Sequence, residues 1–178
     1  MASDLLLFQI SSVSALVGMT LGWRGVMTRY SGFYDLPTAW SNVFWGILLG
    51  GVYSSQIYTQ IIIPNIEFEV TNETVVNPIN LILLCLIASI LVHFILRRNR
   101  VRSGSSQTTS GWALGLAVGG MFGMVVIYAV LRLSEVNIPV MVTIILLAIL
   151  TPRCEAIISS YQGHLMLNGR KWGAILRA

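Results

Sequence analysis

The chain has 178 residues, 55% of them hydrophobic and only 10% charged, with a mean hydropathy of +0.76. An ordinary soluble domain carries about 25% charged residues, so this composition excludes a soluble globular protein and leaves a membrane protein. The net charge of +4 does not point to nucleic acid, because no basic stripe with interleaved aromatics outlasts the short segments between apolar runs.

Apolar runs predict transmembrane spans over residues 5–23, 37–62, 78–96, 111–131 and 138–158, each near the roughly 20 residues that a crossing needs. Five spans nearly exhaust the chain. The expected fold is an all-α polytopic transmembrane helix bundle forming a single domain over 1–178. Residues 97–110 read as a flexible linker, and 159–178 as a cytoplasmic tail with helical apolar spacing at Ile157, Ile158, Tyr161 and Leu165.

The first span follows Met1 to Asp4, which lacks the positive start of a secretory signal, and is expected to be retained. It carries Ser14, Gly18 and Gly22 at four-residue spacing, so one helical face is nearly bare backbone. Its outer half also holds Gln9. The second span repeats the pattern with Asn42, Gly46, Gly50 and Ser54, and adds Gln56 and Gln60. In lipid, small residues let helices approach closely enough for van der Waals contact to hold them. The polar groups Gln9, Ser14, Ser54, Gln56 and Gln60 fall in one leaflet. Packing by interhelical hydrogen bonds accounts for them; the alternative is a polar vestibule that admits a small solute or ion.

Asn72-Glu73-Thr74 fits an N-glycosylation acceptor, which also reads as a plain polar turn. The third span is the most hydrophobic, contains Cys85, and stops at Arg97, Arg98, Arg100 and Arg102. His93 stands one turn before that cluster and is read as an interfacial residue.

The fourth span carries the longest ladder, Gly111, Gly115, Gly119 and Gly123. Enlarging Gly119 to Ile is expected to disrupt packing, and Val118→Ile to be tolerated. In the fifth, Pro152 precedes Arg153 and Glu155; proline in a helix interior frees a carbonyl. If the helix continues, both charges enter the membrane, where ionisable groups are functional candidates. Cys154 follows this run, and the two cysteines do not suggest a disulfide framework.

The positive-inside rule places the Arg97–Arg102 cluster on the cytoplasmic side. Five spans then put the N-terminus outside, the C-terminus inside, and every basic residue except Arg132 inside. Trp23, Trp40 and Trp112 fall near the inner interface, with Tyr58 and Tyr128 at the outer one.

The segment Gly22-x-x-Gly25-x-x-x-Arg29-Tyr30 resembles the end of the first helix in the small fluoride-channel family, and Asn42, Gly46 and Gly50 loosely resemble its second. That likeness covers about the first 50 residues, lacks the family's Thr-Thr-Phe-Ser-Thr run and four-span length, and implies at most an ion-channel reading; no membership follows.

His93 and His164 are the only histidines, and neither a zinc spacing nor a phosphate loop occurs. No enzyme, metal or cofactor is therefore expected. The partners expected are the lipid bilayer and other membrane helices, from copies of this chain or from other subunits. The leading expectation is a structural or assembly subunit of a membrane complex, and the alternative a channel or transporter component.

Overall fold

The computed structural model describes residues 3–27, 36–64, 78–169, 173 and 175, and the regular structure among them is entirely helical. Helix α1 spans Asp4–Met27. Helix α2, Leu36–Ile57, continues into a π-helical turn at Tyr58–Ile62. Helix α3 is Pro78–Leu96, α4 the short Asn99–Ser103, α5 Gln107–Leu133 and α6 Ile138–Leu167.

This is a polytopic helical membrane bundle. Among the described residues α1, α3, α5 and α6 are each long and apolar enough to cross a bilayer. Helix α2 has 22 residues, about 33 Å at the helical rise, but Thr38, Asn42 and Ser54 dilute its hydropathy while turning inward, all three fully buried.

Helix α5 is the axis of the molecule, because it makes close contacts in three directions. One face meets α6 through the glycine ladder. A second, with Leu114, Ala117 and Val118, meets Gly46 and Gly50 of α2. A third, with Leu116 and Gly120, meets Gly22 and Met19 of α1. The buried cluster Ala39, Val43, Ala113 and Ala117 joins α2 to α5, and Ile127, Leu131 and Ala148 join α5 to α6.

Two sequence expectations change. Residues 97–110 are not a free linker: α4 occupies part of the segment, Val101 is 2% exposed, and α5 already starts at Gln107. Nor does the last span give way to a tail at 159. Helix α6 runs unbroken to Leu167, because its small-residue face continues. Ala148, Pro152, Ala156, Ser159 and Gly163 are all buried on it, and a Cβ on Gly163 would strike the Gln107 carbonyl. Arg29, Asn72, Glu67, Glu69, Glu73, Arg170, Lys171 and Arg177 lie outside the described residues.

The two ends of the bundle differ chemically. At one, Arg132 Nη1 donates to Tyr58 Oη at 3.2 Å, and the Tyr58 and Tyr128 rings stand 6.5 Å apart. At the other, Trp23 and Trp40 stack at 5.3 Å, Arg98 lies 5.0 Å over the Trp45 ring, and Arg100 Nε donates to Thr38 Oγ1 at 3.1 Å. The Arg97–Arg102 cluster and Arg132 thus sit at opposite ends, as alternating passes require.

Candidate functional site

Helices pack in this bundle where glycine removes side-chain bulk. A Cβ on Gly111 would collide with the Ser159 carbonyl, one on Gly115 with the Glu155 carbonyl, and one on Gly123 with Thr151 Oγ1. One on Gly119 would lie 2.5 Å from the Thr151 carbonyl oxygen and 2.7 Å from Pro152 Cα. All four glycines face α6 of the same chain. Across α2, a Cβ on Gly46 would come within 2.6 Å of Ala117 Cβ and one on Gly50 within 2.8 Å of Val118 Cα. On α1, Gly22 meets Leu116, and Gly18 sits directly on the Ala148 carbonyl. That carbonyl lies four residues before Pro152, which has no N–H to offer it. The helix stays intact there, and α1 covers the group that the proline leaves open.

Helix α3 has no such face. Its outward two-thirds is Leu81, Ile82, Leu83, Leu86 and Ile87, all exposed, and only Val92, His93 and Leu96 near its C-terminal end are buried. The buried end packs Val92 and Leu96 on Leu114. Over the rest of the helix the bulky branched side chains face outward, and narrower contacts through Cys85 and Ser89 reach α2 and α6. The result is a wedge of about 490 Å³ between α3 and the α2, α5 and α6 faces, lined also by Ile175, whose carbonyl accepts from Ser89 Oγ at 3.3 Å; its volume is within the size range of ligand pockets.

Most of the wedge is apolar, with a few polar groups aimed into it. Glu155 and Gln162 come from α6, Tyr53 from α2, and Cys85 and Ser89 from α3. Gln162 Nε2 donates to the Ser89 carbonyl at 3.0 Å, and Tyr53 Oη lies 3.7 Å from Cys85 Sγ. Glu155 is half-buried and has neither a hydrogen bond nor an ion pair to its carboxylate among the described residues. The glycine ladder sets its position, because Gly115 and Gly119 let the α5 backbone press against α6 at this turn. A carboxylate in an apolar span is costly, by about 2.5 kcal/mol or more on insertion scales.

Arg153 does not join it. Two residues along a helix turn the side chain through about 200°, and Arg153 is exposed on another face. The polar outer halves of the first two spans are also not brought together, because α1 and α2 flank α5 separately. Gln9 is exposed; Ser14 donates back to the Ile10 carbonyl at 2.8 Å. Gln60 Nε2 donates to Gln56 Oε1 within its own helix at 2.8 Å. Ser54 is buried apart from them, its hydroxyl without a hydrogen-bond partner among the described residues.

Sequence reasoning reached Glu155 but not Tyr53, Cys85, Ser89 or Gln162 as its neighbours. Helical spacing held part of the signal: Cys85 and Ser89 stand four apart, and Glu155 and Gln162 seven apart, so each pair shares a face. What joins the pairs is the packing of α3 against α2 and α6, which no motif announces. Among the described residues no three His, Cys, Asp or Glu side chains converge in a group able to hold a metal ion. No protein-family model matches the chain, and neither curated proteins nor solved structures yield a similar one.

Proposed function

We propose that this protein is a non-enzymatic assembly subunit of a membrane complex, with a rigid core built by glycine-mediated close packing and a partner helix received at the wedge beside α3. The observation that carries the reading is Glu155. An uncompensated carboxylate facing an apolar opening calls for a complementary group, and a transmembrane helix bearing Lys, Arg or a strong hydrogen-bond donor supplies one from within the bilayer. The glycine ladder is occupied inside the chain, which leaves the wedge as the surface on offer. The alternative of a small-solute or ion channel through an outer vestibule has less behind it, since Gln9, Ser14, Gln56 and Gln60 make local hydrogen bonds or face outward.

Extraction in native lipid followed by mass measurement tests the proposal. The expected result is a complex with another chain, lost in Glu155→Leu while the extracted subunit keeps its thermal stability. Cys85, which lines the wedge, should form a disulfide with a cysteine placed in the partner's basic helix. A chain that travels alone, or a partner retained unchanged by Glu155→Leu, overturns the reading.

A further inference from the structure

The arginines that end α3 form a second surface, at the far end of the bundle from Arg132, and it does not depend on the wedge. Arg97, Arg98, Arg100 and Arg102 line an open depression of about 660 Å³ together with Phe94 and Asn99. Two of these side chains are held rather than loose. Leu96 and Val101, on either side of the first arginines, are buried at 0% and 2% exposure, pinning the chain where it turns. Arg98 rests on Trp45, and Arg100 is tied to Thr38. None of the four forms an ion pair with an acid among the described residues.

Beneath that charge the surface turns apolar. Phe94, one turn earlier on α3, is 55% exposed, and Trp45 under Arg98 is 39% exposed. Guanidinium groups above exposed aromatic rings at the end of a span match the two-part chemistry of a phospholipid, whose phosphate lies at the interface and whose chains lie in the hydrocarbon. Free phosphate would use the arginines and leave the rings idle.

We propose that the Arg97–Arg102 cradle is a headgroup site for an anionic phospholipid, with acyl chains lying against Phe94 and Trp45. Arginine suits this role, since its planar fork pairs with phosphate oxygens and stacks on aromatic faces.

The test uses the full chain in nanodiscs of phosphatidylcholine, titrated with phosphatidylglycerol and read by native mass spectrometry. Saturable phosphatidylglycerol binding is expected, about thirtyfold weaker in the Arg98→Gln, Arg102→Gln double variant. Arg153→Gln, exposed elsewhere on α6, should bind like the unaltered chain. Equal loss in both variants, or none in the double variant, overturns the site. Displacement of the lipid by millimolar inorganic phosphate would reassign the cradle to a soluble anion and overturn the lipid assignment. Should the glutamine variant fail to fold, Arg98→Lys with Arg102→Lys keeps the charge and must keep binding that weakens steeply with salt; salt-independent binding refutes the proposal.

Discussion

At Gly115 the whole architecture depends on a missing methyl group. A side chain there meets the Glu155 carbonyl and, at 2.6 Å, Ala156 Cα, and these backbone atoms cannot swing aside. Gly115→Ile is therefore expected to destabilise by about 3 kcal/mol or more, and Gly119→Ile similarly, through overpacking. Val118 is a different case although it neighbours the ladder and is 3% exposed. Its side chain borders the wedge, so Val118→Ile should cost about 1 kcal/mol or less. At Gly25 a Cβ would meet nothing within 4 Å; Gly25→Ala should stabilise α1 by about 0.5 to 1 kcal/mol through helix propensity. Thermal unfolding in one detergent checks all four, and equal effects at Gly25 and Gly115 would refute the account. The spacing of these glycines was legible in the sequence, whereas the difference between Gly25 and Gly22, three residues apart, was not. Only the position of Leu116 on another helix separates them.

Among the helices, α6 shows most clearly how a local irregularity becomes a tertiary contact. Pro152 removes the donor for the Ala148 carbonyl, and Gly18 of α1 packs on that oxygen, where a Cα–H contact offers weak compensation. The two residues should couple. Pro152→Ala restores an N–H, draws the carbonyl back toward the helix, and should lessen the cost of Gly18→Ala by about 1 kcal/mol in a double-mutant cycle. Additive effects would mean that the contact is incidental. Proline in the fifth apolar run is visible in the sequence, but its partner is not, because the contact between α1 and α6 joins residues far apart in the chain and neither run's own pattern specifies it. The extent of α6 is hidden for a related reason. Hydropathy falls after Ile158, and what carries the helix to Leu167 is small-residue contact with α5, which a hydropathy profile does not register.

Across the whole molecule, charge and packing divide the work. Alternating passes put Ser103, beside the arginine cradle, and Ser134, beyond α5, at opposite ends. Cysteines introduced at these two positions, with Cys85 and Cys154 replaced, should react with an impermeant thiol reagent from opposite sides of sealed vesicles; labelling from one side alone would overturn the five-pass arrangement. The all-helical membrane fold was readable because composition and run length dictate it. The wedge was not, because it exists only where one helix lacks what its neighbours possess. The central place of α5 also has a meaning in time. It is flanked by helices made before it and completed by one made after it, so until α6 leaves the ribosome four glycines line an uncovered face. A chain halted before Ile138 would thus enter the bilayer able to pair with a foreign helix, and timely synthesis of α6 is what shields it.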